Sequence, residues 1–330
     1  MNARNHNRSR HFVPDRKLTN KDLEQMVDTS DEWITTRTGI KERRILEKDK
    51  GTSYMGIKAV QMVLEQRGIS ADELDLLLVS TATPDMMFPS TTALIQKKLK
   101  ATNCWGFDLS AGCAGFVCAL ATASQFIETG KYKRIMVIGA DKMSSIVNYE
   151  DRNTCVLFGD AAGAVLLEPS NTDDLGIEDF LLYLDGSGDK SLYMASGGSL
   201  IPATLETVEN KMHYLYQDGK TVFKFAVTNM ADVSKKILEK NRLSGEDIKL
   251  FIPHQANLRI IDAAAKKMKI NRNQVVINID NYGNTTTATI PLAMSEAYQE
   301  GMMQKGDWIV LSAFGAGYTW GSLLFKWAID

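Results

Sequence analysis

A cysteine flanked by glycines opens the most apolar helical stretch of this chain. Residues 108–120 read DLSAGCAGFVCAL, a pattern that predicts a sharp turn from a strand into a helix at Cys113. The N-terminus of a helix carries partial positive charge, which lowers the pKa of a thiol and favours a nucleophilic thiolate. An unpaired cysteine is otherwise most often a small buried hydrophobe. Taken alone, this motif leaves both roles open.

A histidine and an asparagine offer the groups that a nucleophilic cysteine would need. His6 and His11 lie in a polar tail, whereas His254 directly follows the apolar strand LFIP. His254 could be a core residue with satisfied hydrogen bonds, but beside Cys113 it is a candidate acid, base or hydrogen-bond donor. Asn284, within NYGNTT, could cap a turn or act as a neutral donor that does not titrate.

Small residues near the C-terminus offer backbone donors. In SAFGAGYTWGS, Gly315, Ala316 and Gly317 follow a predicted strand. They could simply form a tight turn. In a catalytic setting, the backbone N–H of Ala316, together with that of Cys113, would stabilise a developing oxyanion.

A cationic stretch surrounds a tryptophan in SDEWITTRTGIKERR, residues 30–44. A run of charges is usually a solvated face, and Trp33 alone would more often belong to the core. Together with a distant arginine, these side chains could bind phosphates and stack an adenine ring. The candidate cations are Arg37, Lys41, Arg43, Arg44 and Arg152.

Composition limits the function classes. The chain has 330 residues, 44% hydrophobic and 24% charged, and a formal net charge of −2, which gives no reason to expect a nucleic-acid or membrane partner. Its four cysteines form no C-x-x-C or metal-ligand pattern, which indicates reduced thiols and no metal. The basic start MNARNHNRSRHF lacks an apolar signal region, so we expect a cytoplasmic protein.

An internal repeat organises the chain. Residues 63–83 and 237–257 share the pattern of a helix end, a capping serine, an acidic turn and an apolar strand. The same offset of 174 positions aligns 131–141 with 305–315, and the helix after Cys113 with 285–301. The repeat predicts two similar α/β halves, with boundaries 1–170 and 171–330.

The central helix of each half is apolar or small on nearly every face, which predicts burial between two sheets. The expected fold is therefore a layered α/β/α/β/α body with pseudo-twofold symmetry. That symmetry would bring the loops of Cys113, His254 and Asn284 toward one another.

Six motifs, in order along the chain, carry a family resemblance. DTSDEWITTRTGIKERRI, AGCAG, DRNTCVLFGDAAGAVLL, IPHQANLRII, YGNTTTATIP and FGAGYTWGS resemble β-ketoacyl-acyl-carrier-protein synthase III, from about Phe12 to Trp327. The resemblance implies the thiolase fold, a homodimer, and no metal or redox cofactor. Thiolases use a second cysteine and chain-elongating synthases a second histidine, whereas Asn284 beside His254 resembles the initiating synthase.

The resemblance also implies a reaction. Cys113 would accept the acyl group of an acyl-coenzyme A, with acetyl-coenzyme A as the expected primer. His254 and Asn284 would hold the thioester carbonyl of malonyl-acyl carrier protein while carbon dioxide leaves. The resulting carbanion would attack the acyl-cysteine, whose oxyanion is held by the amides of Cys113 and Ala316. The product, a 3-oxoacyl-acyl carrier protein, would start fatty-acid synthesis.

Binding residues follow from the same resemblance. Trp33 and Arg152 resemble a pair that sandwiches the adenine, and Phe88 one that walls the partner's primer pocket across a dimer interface. The implied coenzyme A contacts are Trp33, Arg37, Arg152, Gly219, Phe223, Ala256 and Asn257. The implied carrier-protein contacts are Gln255, Ala256, Asn257, Leu258 and Arg259.

Three positions depart from the family pattern. Residues 4–11, RNHNRSRH, are too polar for the usual first strand, so we expect that strand to be weakened or missing. Ala316 replaces a common glycine, which keeps the backbone amide but tightens the pocket. Lys220 stands where a neutral residue or arginine is commoner, which affects the predicted coenzyme contacts.

Other functions share parts of this pattern. A thiolase-fold acyltransferase or condensing enzyme of secondary metabolism would have the same three catalytic residues. A non-catalytic acyl-binding protein would have no use for all three. A cysteine hydrolase would release free acid and coenzyme A without malonyl-acyl carrier protein.

Overall fold

The computed structural model describes residues 10–170, 172 and 174–329. Its strands and helices, in chain order, are β1 (His11–Phe12), β2 (Lys17–Thr19), α1 (Asn20–Glu24), α2 (Asp31–Thr38), β3 (Glu42–Arg44), α3 (Thr52–Arg67), β4 (Leu76–Ser80), α4 (Thr91–Leu99), β5 (Trp105–Leu109), α5 (Gly115–Glu128), β6 (Ile135–Lys142), β7 (Asp160–Leu167), β8 (Gly176–Leu184), β9 (Leu192–Met194), α6 (Leu205–Glu209), β10 (Leu215–Gln217), α7 (Gly219–Lys240), β11 (Ile248–Pro253), α8 (Leu258–Met268), α9 (Ile279–Tyr282), α10 (Thr289–Gln299), β12 (Trp308–Gly315) and β13 (Thr319–Lys326).

Two sheets carry matching strand orders. The first runs β1-β7-β6-β4-β5, and the second runs β8-β13-β12-β11. In each sheet one parallel pair, β4–β6 or β11–β12, is followed by an antiparallel pair, β6–β7 or β12–β13. Among the described residues, the second half has no strand equivalent to β5, and a single bridge, Phe251 to Val275, lies in its place. The predicted boundary at residue 170 lies between β7 and β8.

The turn before each central helix repeats with the predicted offset. A short 3-10 turn at Gly112–Ala114 leads into α5, and its counterpart at Thr286–Ala288, 174 positions later, leads into α10. Gly112 and Thr286 both have a positive φ, 51° and 56°. The same backbone conformation at equivalent positions confirms the predicted duplication.

The two central helices lie between the sheets. One buried cluster joins α5 and α10 to β4 and β6 on one side and to β11, β12 and β13 on the other. Helices α3 and α4 cover the outer face of the first sheet, and α7 and α8 cover that of the second. The five layers predicted from the apolar helices are therefore present. Burial of each large apolar side chain between these layers stabilises the fold by about 1.5–3 kcal/mol.

Two glycines in the first sheet let α10 lie directly on it. A Cβ atom at Gly139 of β6 would lie 2.4 Å from the carbonyl oxygen of Thr287, and one at Gly163 of β7 would lie 2.7 Å from Cβ of Pro291. Any larger residue at either position would push the helix away. These glycines therefore set the height of the Thr286–Ala288 turn above β6.

The first strand is short, as predicted. In the part of the chain that the structure describes, only His11 and Phe12 pair, antiparallel, with Gly163 and Ala162 of β7. Phe12 packs edge-on against Tyr54 of α3, with 5.8 Å between ring centroids. The remainder of the polar stretch before Arg10 lies outside the described residues.

Among the helices of the described residues, none is both long and apolar enough to cross a bilayer.

Candidate active site

Cys113 lies where the backbones of the two halves touch. A Cβ atom at Gly112 would lie 2.8 Å from the nitrogen of Ala316, and one at Gly315 would lie 2.4 Å from the nitrogen of Cys113. The positive φ of Gly112 also favours glycine. The segment after β12 therefore runs against the Cys113 turn. This arrangement brings together the two segments whose amides were predicted to form an oxyanion hole.

His254 is fixed at the end of β11. Its backbone N–H donates to the carbonyl oxygen of Ser312, 2.8 Å away on β12. The ring is 2% exposed, and its Nδ1 lies 2.7 Å from Oγ1 of Thr289. Its Nε2 is buried and has no hydrogen-bond partner among the described residues. Burial lowers the pKa of His254 to about 3, so the ring is neutral at neutral pH.

Three hydrogen bonds hold Asn284 and orient its side-chain amide. Its backbone N–H donates to the carbonyl oxygen of Leu157 (2.9 Å), and its own carbonyl oxygen accepts from the N–H of Gly159 (3.1 Å). The side-chain Oδ1 accepts from the backbone N–H of Thr286, 2.9 Å away. Because Oδ1 is used in this way, the group left to act on a substrate is the Nδ2 donor.

A single turn links these two residues. Thr286 donates to Asn284, and its carbonyl oxygen accepts from the hydroxyl of Thr289 at 3.0 Å. Thr289 in turn contacts the ring of His254. The turn at Thr286–Ala288 also packs against the turn that carries Cys113. The structure therefore brings all three predicted catalytic residues to one place.

The sequence analysis missed Asp141, which lies beneath this site. Its carboxylate is fully buried and accepts six hydrogen bonds of 2.7–3.1 Å, from Thr81, Ala82 and Thr83 of the first half and from Thr287 of the second. Burial raises its pKa, but six donors and no acceptor favour the charged form. A lone acid at the end of the apolar strand IMVIGAD was the available signal.

Cys113 is half-buried, beside the carboxylate of Asp141. Desolvation, and secondarily the charge of Asp141, raise the pKa of its thiol to about 12. The sequence-based expectation of a lowered thiol pKa is therefore wrong, because the helix terminus lies in a desolvated site next to a carboxylate.

Trp33 is flanked by two of the predicted cations. The guanidinium of Arg37 lies 4.6 Å from its ring centroid and that of Arg152 lies 4.7 Å away. Arg152 also approaches the exposed carboxylate of Asp28, at 3.4 Å. Guanidinium groups stack on flat aromatic rings, so an adenine ring can take the place of either contact.

The remaining predicted binding residues form a rim next to Trp33. The side chain of Asn257 donates to the carbonyl oxygen of Arg37 (2.9 Å), and its Oδ1 accepts from the N–H of Arg259 (2.9 Å) at the start of α8. The guanidinium of Arg259 lies 4.7 Å from the ring of Phe223, one turn into α7 after the exposed Gly219. Ala256 and Leu258 are half-buried between them.

Two predicted side chains face the interior instead. Gln255 is 1% exposed, donates to the carbonyl oxygens of Pro253 and Val276, and accepts from Asn278, so it holds the loop and does not contact a carrier protein. Arg43 is fully buried and donates to Asn20, so it does not bind phosphate. The residues that follow them, Arg44 and Ala256, are half-buried, and the sequence analysis did not predict which of these side chains point inward.

Within the described residues, no group of three or more histidine, cysteine or acidic side chains is arranged to hold a metal ion. The four cysteines are free thiols.

The matching family models and the similar proteins all carry the name of one synthase family. The family model for 3-oxoacyl-[acyl-carrier-protein (ACP)] synthase III matches residues 107–186, and the model for its C-terminal part matches residues 238–327. The chain is 54% identical over 318 residues to a β-ketoacyl-[acyl-carrier-protein] synthase III of Chlorobaculum tepidum, covering 96% of this chain and 97% of that protein. It is 51% identical to one of Koribacter versatilis, covering 96% of each.

Solved structures of two similar enzymes match nearly the whole chain. The crystal structure of 3-oxoacyl-[acyl-carrier-protein] synthase III from Aquifex aeolicus is 45% identical with a TM-score of 0.88, covering 96% of this chain and 97% of that one. The priming β-ketosynthase of the R1128 polyketide pathway is 34% identical with a TM-score of 0.89, covering 96% and 94%.

The role of Asp141 can be tested through the reactivity of the thiol. In Asp141→Asn the negative charge near Cys113 is removed, so the pKa of the thiol should fall and alkylation by iodoacetamide at a fixed pH should become faster. The asparagine amide would also face donors, at a cost of about 1–3 kcal/mol of stability. Alkylation rates across a pH series give the thiol pKa, and urea unfolding gives the stability.

Asp160→Asn is the matched control, because Asp160 is also fully buried but is held by Ser144 and Leu46. An unchanged Cys113 pKa in Asp141→Asn would show that burial alone raises it.

Proposed function

Because the chain belongs to the 3-oxoacyl-[acyl-carrier-protein] synthase III family, we propose that Cys113, His254 and Asn284 carry out the reaction of that family in this protein. The enzyme is an acyltransferase that condenses an acyl-coenzyme A primer with malonyl-acyl carrier protein, the initiating step of fatty-acid biosynthesis. The observation that supports the assignment is the convergence of a half-buried thiol, a histidine with an unpartnered Nε2 among the described residues, and an asparagine whose Nδ2 is left as a donor.

The first half-reaction acylates Cys113. After the thiol loses its proton, the sulfur attacks the thioester carbonyl of the primer, and coenzyme A leaves with the electron pair of the broken C–S bond. The negative charge on the tetrahedral oxygen would be held by the backbone amides of Cys113 and Ala316. Such preorganised donors act strongly in a site shielded from water.

The second half-reaction forms the carbon–carbon bond. The thioester carbonyl of malonyl-acyl carrier protein would accept hydrogen bonds from Nδ2 of Asn284 and Nε2 of His254. As carbon dioxide leaves, its bonding electrons form an enolate that these donors stabilise. The enolate carbon attacks the acyl-cysteine, and Cys113 leaves to give a 3-oxoacyl-acyl carrier protein.

The proposal needs no metal or redox cofactor, because decarboxylation of the malonyl group generates the carbanion without a Lewis acid or an electron acceptor. It includes a cytoplasmic location, since the four free thiols suit a reducing compartment.

The rim beside the site provides separate surfaces for the two substrates. Trp33, with Arg37 and Arg152 on its ring, suits the adenine nucleotide of coenzyme A. The exposed Arg259 at the start of α8 suits an acidic carrier protein. Asn257, which contacts the end of α2 and caps α8, joins the two surfaces.

The proposal includes a homodimer, which the free edge of the first sheet supports. Strand β5 is paired on one side only among the described residues. Trp105 on this edge is 47% exposed, and Met87 and Phe88 in a nearby loop are 77% and 84% exposed. An unpaired strand edge bordered by large apolar side chains is a usual site for pairing with a second copy.

A role in secondary metabolism is the second candidate, favoured by the 34% identity to a priming β-ketosynthase of a polyketide pathway. The two candidates differ in primer. Mass spectrometry of the products from a panel of acyl-coenzyme A primers with malonyl-acyl carrier protein distinguishes them.

Two variants separate the half-reactions. Cys113→Ala should abolish both acylation by acetyl-coenzyme A and condensation. Asn284→Ala should still be acylated on the Cys113 peptide, but its decarboxylation barrier should rise by about 2.7–4 kcal/mol, the cost of one lost oxyanion donor. Intact-protein mass spectrometry follows the acyl group, and carbon dioxide release follows decarboxylation. Acylation that persists in Cys113→Ala would contradict the assignment of the nucleophile.

The two substrate surfaces should respond to different changes. Trp33→Ala combined with Arg152→Ala removes stacking worth roughly 0.5–2 kcal/mol, so use of acyl-coenzyme A should fall several-fold to tens-fold. Arg259→Glu should slow the carrier-protein step, most strongly at low salt, because exposed charges are screened within about 10 Å at 0.1 M ionic strength.

Both half-reactions are measured at two salt concentrations for each variant. Lys97→Glu, with the same charge change on exposed α4 of the other half, is the control for Arg259→Glu. If both glutamate variants behave alike, the carrier protein docks elsewhere.

The dimer is tested at the sheet edge. Wild-type protein should sediment at twice the chain mass of 36.6 kDa. Trp105→Arg puts a charge on this strand edge in each copy and should shift the mass toward one chain. Met26→Arg, at a side chain of the same 47% exposure on another face, should leave it unchanged. A wild-type monomer would refute the proposed assembly.

A further inference from the structure

Arg43 is a buried cation that the proposed reaction does not use. It lies on β3 and is among the largest fully buried side chains of the described residues. An arginine is almost never enclosed to this degree unless its charge is partnered, because water solvates a guanidinium well. Burial lowers the pKa of Arg43 to about 10, so the side chain is still charged at neutral pH. The groups that it contacts therefore indicate its role.

The guanidinium bridges two segments that are distant in sequence. Its Nη1 donates to Oδ1 of Asn20 at 2.7 Å, and its Nη2 donates to the carbonyl oxygen of Val156. Asn20 is itself held, because its side-chain amide donates to Asp31 at the start of α2 (2.7 Å) and to the carbonyl oxygen of Ile40 (2.8 Å). Arg43 therefore ties Val156 to the start of α1 and, through Asn20, to α2.

Val156 depends on this contact. It is buried in the loop that precedes β7, and its carbonyl oxygen accepts no backbone N–H among the described residues. A buried carbonyl oxygen without a partner is unfavourable, and the guanidinium is the partner that it has. Loss of the guanidinium would therefore release the segment 156–159 from the N-terminal helices.

The same segment holds the backbone of Asn284. The N–H of Asn284 donates to the carbonyl oxygen of Leu157 (2.9 Å), and the N–H of Gly159 donates to the carbonyl oxygen of Asn284 (3.1 Å). Leu157 directly follows Val156, so the guanidinium acts one residue away from the first of these bonds. A shift of this segment would carry Asn284 with it.

The stem of Arg43 also contacts both sides of this pairing. A Cβ atom at Gly159 would lie 3.2 Å from Cβ of Arg43, and one at Gly283 would lie 3.2 Å from Cγ. Gly283, directly before Asn284, has a positive φ of 64°, which favours glycine. The methylene groups of Arg43 therefore pack against a glycine in each of the two paired segments.

We propose that Arg43 is a positioning residue that sets the place of Asn284, and thereby the place from which Nδ2 of Asn284 donates to the malonyl thioester. Because Arg43 is fully buried, it acts through the backbone of 156–159 and 283–284 and does not touch the substrate. This inference rests on the proposed function, which assigns Nδ2 of Asn284 as a donor to the enolate.

Arg43→Met tests this role, because it removes the guanidinium and keeps an unbranched stem against the two glycines. Carbon dioxide release from malonyl-acyl carrier protein by enzyme acylated beforehand should slow by about tenfold to hundredfold, since a misplacement near 1 Å costs up to about 10² in rate. Acylation of Cys113 by acetyl-coenzyme A, which does not use Nδ2 of Asn284, should stay within a few-fold of wild type.

Arg134→Met is the matched control. It makes the same exchange at an arginine just before β6 that pairs with Glu73 and Glu168, at 2.7 and 3.2 Å, and it leaves the segment 156–159 untouched. Both half-reactions of this variant should stay within a few-fold of wild type.

A double-mutant cycle shows whether Arg43 acts through Asn284. Adding Arg43→Met to Asn284→Ala should slow decarboxylation by less than about twofold further, because the donor that Arg43 positions is already absent. Hydrogen exchange gives a readout that does not depend on activity. The peptides that contain Gly159 and Asn284 should exchange faster in Arg43→Met than in wild type or Arg134→Met.

Urea unfolding shows whether Arg43→Met is folded, and Arg43→Lys takes its place if it is not. Lysine keeps the charge, but a single ammonium lacks the planar fork that donates to Asn20 and Val156 together. Decarboxylation by Arg43→Lys should therefore again fall by a larger factor than acylation.

The outcomes separate this inference from the proposed function. If wild-type Cys113 is not acylated, or Asn284→Ala decarboxylates as fast as wild type, the proposed function fails. If both behave as proposed, four results overturn only the role of Arg43. These are decarboxylation at the wild-type rate in the Arg43 variant, equal slowing of both half-reactions, a full additional loss on top of Asn284→Ala, and unchanged hydrogen exchange at Gly159 and Asn284.

Discussion

The carboxylate of Asp141 is the point at which the two halves are tied together. Three of its hydrogen-bonding residues come from the turn after β4, and the fourth, Thr287, comes from the turn before α10. A buried charge is stable only when its hydrogen bonds are complete, so neither turn can move without a large cost. The positions of Cys113, His254 and Asn284 all depend on these turns.

The two halves have similar backbone arrangements around their central helices, but they carry different side chains at equivalent positions. At one pair of equivalent positions, Oγ of Ser80 packs against the first residue of α5, Gly115, so closely that a Cβ atom there would be 2.1 Å away. In the second half the same juxtaposition holds His254 and Thr289, 2.7 Å apart. The first half thus places the proposed nucleophile on a close-packed turn, and the second half carries the histidine and asparagine proposed to bind the malonyl thioester.

Burial determines how the site works. Desolvation raises the pKa of the Cys113 thiol and lowers that of the His254 ring, so both shifts favour the uncharged forms. The same exclusion of water strengthens each hydrogen bond that forms to an oxyanion or enolate.

The sequence by itself determined the duplication and the five layers, and it singled out Cys113, His254 and Asn284 as the candidate catalytic residues, because periodic burial and a repeat at constant offset are properties of the chain. Tertiary structure alone decided which atoms meet. Gln255 faces inward and holds its loop, and Asp141 supports the site from a strand that is more than 25 residues from any candidate catalytic residue in sequence. The raised pKa of Cys113 also came from this packing, since desolvation and a carboxylate distant in sequence outweigh a local helix terminus.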